Sequence, residues 1–236
     1  EHFFASVDET GLGAVDAVAD SGAPSSMFSE AWQKLRRRPM FWISSLIILL
    51  VITVAAFPSL FTSLDPRFCQ LGNSLDGPTA GHPFGFDRQG CDIYSRVIYG
   101  ARPSVLVGVL TTIAVVLIGT VVGSIAGFFG GWFDAILSRL TDVFFAVPLV
   151  LAAIVIMSLF SQSRSAITVV GVLAAFGWTQ IARITRGSVM SVKNNDYVTA
   201  ATSLGVGRGA TLVRHILPNA DAPIIVYATV ALGTFI

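Results

Sequence analysis

Charge is what this 236-residue chain has least of. Only 12% of its residues are Asp, Glu, Lys or Arg, against about 25% in an average soluble domain. A soluble fold with an enlarged core is excluded, because the hydrophobic 53% falls in long runs. Cysteine and histidine are also scarce, at two and three copies. His82 and His215 stand far apart and no Cys-x-x-Cys occurs, which excludes a metal centre of the usual ligand spacing. The first thirty residues contain no Lys or Arg, but carry Asp8, Glu9, Asp16, Asp20 and Glu30. The basic-then-apolar order of a secretory signal peptide is therefore missing there. Within the long apolar runs no facing His, Cys, Ser-Lys or paired-Asp set occurs, which argues against an intramembrane enzyme.

What is present is a series of apolar stretches of bilayer length. About 20 residues at 1.5 Å rise cross the roughly 30 Å hydrocarbon core. Lipid offers no backbone partners, so only helices or closed barrels can cross. The runs are continuous rather than alternating, which predicts helices. The chain reads as an all-α polytopic membrane protein. Residues 1–35 form an acidic, flexible tail, and 36–61 hold the first span after "WQKLRRRP". Residues 62–103 make a long polar loop containing both cysteines. The core, 104–236, holds a second span at Val105 to Phe129, ended by Gly130 and Gly131, and a third from Trp132 to Phe160. A short turn at 161–165 and a fourth span from Ile167 to about Val192 follow. A fifth span begins at Ala222 and is still apolar at Ile236, an ending that suggests an incomplete sequence.

Lys and Arg in short loops orient such a protein. Lys34, Arg36, Arg37 and Arg38 precede the first span, and Arg183, Arg186, Lys193, Arg208 and Arg214 surround the loop after the fourth. Five alternating spans put both groups on one side, with Arg139. The amino terminus and the loop 194–218 are then cytoplasmic, and 62–103 is external. Within the third span, Arg139 and Asp142 lie three apart and are expected to form a structural ion pair. Pro148 sits inside that span, where a kink is tolerated. Gly119, Gly123 and Gly127 share one face, which predicts close helix packing, against a partner chain or otherwise.

The stretch "DYVTAATSLGVGRGATLVRHILPN", Asp196 to Asn219, is polar, glycine-rich and too long for a tight connection. Its "GVGRG" lacks the preceding strand and following Lys-Ser or Lys-Thr of a phosphate loop. Asn194, Asn195 or Asp196 can cap a helix that runs through Leu204. Gly205 then occupies the left-handed position that ends it. A second helix from Arg208 to Ile216 is expected to stop at Pro218. A membrane anchor and a docking element both fit this pattern.

"TAATSLG" followed later by "ILP" resembles the cytoplasmic signature of ATP-driven importer permeases. Ala200, Ala201, Gly205, Leu217 and Pro218 match it, whereas Thr199 replaces the usual glutamate and His215 the usual isoleucine. "RHILPNADAPIIV" and "GHPFGFDRQGCDIYSRVIYGARPSVLVG" are similar to the dipeptide, oligopeptide and nickel branch. Cys91 and Phe86 depart from its usual arginine and threonine. The resemblance covers about residues 36–236. It implies a type I importer fold with five of about six spans present, in a bacterial inner membrane. It also implies that Thr199, Ala200, Ala201, Leu204, Gly205, Leu217 and Pro218 form a coupling helix region that docks on a separate ATPase.

The implied partners are a homologous permease, two ATP-binding subunits or domains, and an external substrate-binding protein, with no nucleic acid. ATP and Mg would be bound by the ATPase subunits, and this chain would hold no cofactor, metal or catalytic residue. The implied cargo is a short peptide; a dipeptide or nickel chelate is the alternative within the branch, and a self-contained solute channel the alternative outside it. Cys69 and Cys91, the only cysteines, both lie in the external loop and are a disulfide candidate, since the exterior permits oxidation. Two separate buried thiols are the alternative.

Overall fold

The computed structural model describes residues 27–160 and 165–236. Most of the acidic tail, and residues 161–164 of the expected turn, lie outside the described residues. The described residues form helices, short 3-10 turns and isolated bridges, with no strand among them. The chain divides into two compact units, Glu1–Leu50 and Val51–Ile236.

The first unit contains α1 (Met27–Arg36) and most of α2 (Pro39–Ala56). Helix α1 occupies the end of the stretch expected to be flexible. Trp32 and Leu35, three apart among polar residues, give it an apolar edge. Pro39 opens α2 at the position where a missing N–H costs nothing. The Trp42 indole N–H donates to the Arg36 carbonyl at 3.0 Å, and Trp32, Phe41 and Trp42 form an edge-to-face chain. Aromatic rings beside Lys34, Arg36, Arg37 and Arg38 are what a span presents where hydrocarbon meets water. Ile43, Leu46 and Leu50 are more than half exposed, as a lipid-facing helix requires.

In the second unit, α3 (Ile93–Phe129) has 37 residues, about 55 Å of helix. It begins ten residues before the expected loop ends, because the Asp92 carboxylate accepts from the Ser95 N–H at 2.8 Å and caps it. The backbone then turns at Gly130 and Gly131, with φ of 66° and 54°. The third expected span is instead two helices, α4 (Gly131–Phe145) and α5 (Leu149–Leu159), bent by 76°. Pro148 restricts Val147 to non-helical backbone and caps α5, so the bend is a break and not a mild kink.

Helix α6 (Ala166–Lys193) matches the expected fourth span and is capped by the Ser165 hydroxyl. A short helix, α7 (Asp196–Ser203), leads to α8 (Arg208–Phe235). Helices α2, α3, α6 and α8 are each long and apolar enough to cross a membrane, and the bent α4–α5 pair is a fifth candidate. The core is the α3–α6 seam closed by α8, with Val115, Trp178, Ile181 and Ile224 at its centre.

The expected stop at Pro218 is not found. Thr211–Ile216 adopt π-helical geometry, and the Leu217 N–H donates to the Leu212 carbonyl, five residues back. The wider turn makes room for the Pro218 ring, so the helix continues into Leu217–Phe235 instead of ending.

Candidate coupling surface

Asn195 is the N-cap of α7, and its carbonyl accepts from the N–H groups of Val198 and Thr199. At its other end the Gly205 N–H donates to Thr202 and the Val206 N–H to Ala201, at 3.0 and 3.2 Å. Together with the Gly205 φ of 88°, this is the paired-bond glycine corner expected from the sequence. The corner satisfies carbonyls that a helix end would otherwise leave open.

One side of α7 is fixed to the body of the protein. Val198 is buried with Val189, Ile216 and Ala220, and Leu212 and Leu217 pack on this cluster. The Tyr197 hydroxyl donates to the His215 carbonyl, and the Asn219 amide donates to the same oxygen at 2.8 Å. Those bonds occupy a carbonyl within the irregular part of α8. The other side is bare. Thr199, Ala200, Leu204 and Gly205 are exposed, Ala201 is half-buried, and Leu204 is 86% accessible. At 100° per residue, Ala200 and Leu204 lie together, opposite Val198. A Cβ at Gly205 would meet nothing in this chain. Of the two remaining signature residues, Pro218 is exposed and Leu217 lies in the packing beneath α7.

The base of α7 is tied to three spans. The Lys193 ammonium donates to the Gly127 and Phe128 carbonyls, at 3.3 and 3.0 Å, closing the end of α3. Arg186 forms a two-point pair with Asp134 of α4, its Nη2 lying 2.7 Å from Oδ2. Arg183 pairs with Asp142 at 2.8 Å and stacks over the Phe145 ring. The expected Arg139–Asp142 pair is thus replaced. Arg before Asp is the weaker order along a helix, and Asp142 takes the cation that α6 brings to it, while Arg139 is exposed. A cavity of about 340 Å³, lined by Ser138, Thr141, Asp142, Arg183 and Arg186, lies beside these pairs. The Arg186–Asp134 and Arg183–Asp142 pairs join residues 52 and 41 positions apart and so carry no local spacing signal.

Gly119, Gly123 and Gly127 face α6 of the same chain. A Cβ at Gly119 would lie 2.6 Å from Ile181 Cβ, at Gly123 2.3 Å from the Ala182 oxygen, and at Gly127 2.8 Å from the Arg186 oxygen. The absence of side chains lets α3 and α6 touch along their backbones, so displacement of α6 must carry α3 with it.

The segment between α2 and α3 is a cap of turns and isolated bridges. Cys69 and Cys91 are disulfide-bonded, and Cys91 is buried. Asp87 accepts from the Cys91 and Gln89 N–H groups and pairs with Arg96. The backbone bond from Cys91, joined by the Gln89 and Arg96 contacts, holds its carboxyl below the ordinary range. Burial pushes the Asp92 carboxyl up, but the Ser95 hydroxyl and N–H and the His82 ring outweigh it and leave it lowered. Among the described residues no group of three His, Cys, Asp or Glu could hold a metal.

Residues 119–236 match the family described as binding-protein-dependent transport system inner membrane component, and residues 26–78 match the N-terminal transmembrane domain of oligopeptide transport permease C. An oligopeptide transport system permease protein of Bacillus subtilis (strain 168) is 35% identical over 221 residues, covering 94% of this chain and 72% of the relative. A dipeptide transport system permease protein of Alkalihalophilus pseudofirmus is 37% identical over 215 residues, 89% of this chain and 69% of that protein. A glutathione transport system permease protein of Shigella dysenteriae serotype 1 is 35% identical over 208 residues, 88% and 68%. Five candidate spans, the glycine corner and these matches together assign the chain to the binding-protein-dependent inner membrane transport family, as an importer permease of the oligopeptide and dipeptide branch.

Proposed function

We propose that this permease forms half of a translocation pathway for short peptides and that α7 couples it to a separate ATPase subunit. The observation that carries the coupling is the two-sided build of α7. Its inner side is locked to α6 and α8 through Val198, Ile216 and Ala220, while its outer side offers small and apolar groups at Ala200 and Leu204. A groove closing on that outer side would move α6 and α8 as rigid levers, and the glycine seam would carry α3 along. A homologous permease would supply the other half of the pathway, two ATPase subunits would hold ATP and Mg, and an external binding protein would deliver cargo. The names of the relatives, which concern oligopeptide, dipeptide and glutathione transport, support a short peptide over a nickel chelate. The distribution of Lys and Arg supports a cytoplasmic amino terminus and α7, with the disulfide cap outside. An impermeant thiol reagent should then label a cysteine placed at Asp76 in intact cells and miss one placed at Arg208.

The coupling test is ATP hydrolysis and peptide uptake by the assembled complex in vesicles. Gly205→Ala carries the positive-φ strain alone, about 1–2 kcal/mol, and Gly205→Glu adds charge and bulk at the docking corner. The chain itself leaves open space there, so insertion should survive in both. Gly205→Glu should lose ATPase association and uptake, Gly205→Ala should fall between it and wild type, and Thr199→Glu should be tolerated. Full uptake by Gly205→Glu would reduce α7 to an anchor.

A further inference from the structure

A second feature lies along the flank of α7 that carries Val198, Thr199 and Thr202, away from Ala200 and Leu204. A cavity of about 320 Å³ opens between the ends of α3 and α6, helix α7 and the start of α8. Phe128 and Phe129 form one wall, and Val198, Thr199, Thr202 and Thr211 contribute small side chains. Its charged lining is Lys193 and Arg208, with no carboxylate. Lys193 is held in the wall by the last carbonyls of α3. Arg208 is exposed and has no ion-pair partner among the described residues. Lys193 is offset in part by those carbonyls and by the nearby Asp134 carboxylate, but Arg208 is not, and the pocket's net positive lining calls for an anion.

The position identifies which anion. Phe129 and Lys193 are the last residues of α3 and α6, two helices long and apolar enough to span, so the pocket lies at one end of the membrane-crossing bundle. An aromatic row leads away from it: Phe128 to Phe129 at 5.1 Å, Phe129 to Phe133 at 5.8 Å, and Phe133 to Trp132 at 5.7 Å. Trp132 is 72% exposed. Aromatic rings at this level are typical interfacial anchors, and basic pockets between spans hold lipid headgroups. We infer that the pocket binds the phosphate headgroup of an anionic phospholipid, with Lys193 and Arg208 as its two cationic contacts and the acyl chains beside Phe128 and Phe129. The bound headgroup bridges the end of α6, helix α7 and the start of α8. Of the residues proposed to dock on the ATPase, the site shares only Thr199.

The test uses the complex assembled with its partner subunits in phosphatidylcholine nanodiscs with added phosphatidylglycerol. Native mass spectrometry would count phosphatidylglycerol retained by the permease. Arg208→Gln should lower retention on the order of fivefold, the effect of one interfacial cation, and Arg208→Lys should restore it. A photoreactive phosphatidylglycerol should label wild-type protein at Phe128 or Phe129, which tests the site without any variant. Unchanged retention in Arg208→Gln, or labelling only elsewhere, overturns the assignment. Displacement of the lipid by inorganic phosphate would make this a free-anion site and would also overturn it. So would unchanged retention with loss of the ATPase subunit, since Arg208 would then contact a protein carboxylate.

Discussion

Arg186 of α6 grips Asp134 of α4 with two guanidinium nitrogens, the Nη2–Oδ2 distance being 2.7 Å. The two residues are 52 positions apart, and their pair joins the amphipathic helix after the glycine turn to the span that carries α7. Asp134→Ala would leave a cation beside the cavity with its main partner gone. Because the pair is partly exposed, the expected loss is about 1–2 kcal/mol. Thermal unfolding of the detergent-purified complex measures it. The double exchange Asp134→Arg with Arg186→Asp should recover part of the loss, and a single variant that melts like wild type would remove the pair from the list of structural ties.

Gly123 tests the backbone seam. In Gly123→Ala the new Cβ would sit 2.3 Å from the Ala182 oxygen, which is backbone and cannot swing aside. Helices α3 and α6 must separate, and the yield of folded protein should fall sharply. Gly100→Ala, also within α3, meets nothing within 4 Å and should be neutral or slightly stabilising by helix propensity. Size-exclusion profiles of the two variants in the same detergent make the comparison, and matching profiles would mean that the seam tolerates a methyl group.

Oxidation of the cap is the next expectation. The Cys69–Cys91 bond closes a 22-residue separation, worth roughly 3 kcal/mol in the chain-entropy model. Protein purified without reductant should show no free thiol by mass spectrometry. Cys69→Ser should expose the cap to limited proteolysis while leaving α3 to α8 intact. Equal cleavage of the variant and wild type would show that the bond adds nothing to the order of the cap.

Acid should loosen the same cap. The carboxyls of Asp87 and Asp92 are both held below the ordinary value. A lowered folded pKa gives stability that is complete above the unfolded value, about 3.9, and is lost as pH falls through the folded one. Hydrogen exchange of residues 68–95 should be flat from pH 7 to about 5, after correction for intrinsic rates, and should accelerate below about 4. Asp92→Asn should remove most of the pH dependence at the start of α3; a wild-type profile in that variant would assign the effect elsewhere.

Much of this protein was legible from its sequence because the relevant physics is local. Lipid forces backbone hydrogen bonds into helices, so apolar runs of span length announce themselves. The run from Ile167 to Val192 appears as α6 nearly residue for residue. Gly205 marks the end of α7 because positive φ is costly for any residue with a Cβ. The cysteine pair could be anticipated because the loop contains the only two.

Tertiary structure decided what those local rules leave open. Pro218 does not end its helix, since the preceding turn widens to a π geometry and Ile216 and Ala220 are held in the packing around it. Asp142 ignores Arg139, three residues away, for Arg183, forty-one away, because the rotation of α4 against α6 selects among reachable cations. The glycine stripe showed that some backbone approaches closely, and only packing named α6 as that backbone. Chain-local sterics and solvation act over a few residues and can be read from sequence, whereas choices between distant partners depend on how whole helices rotate and cross.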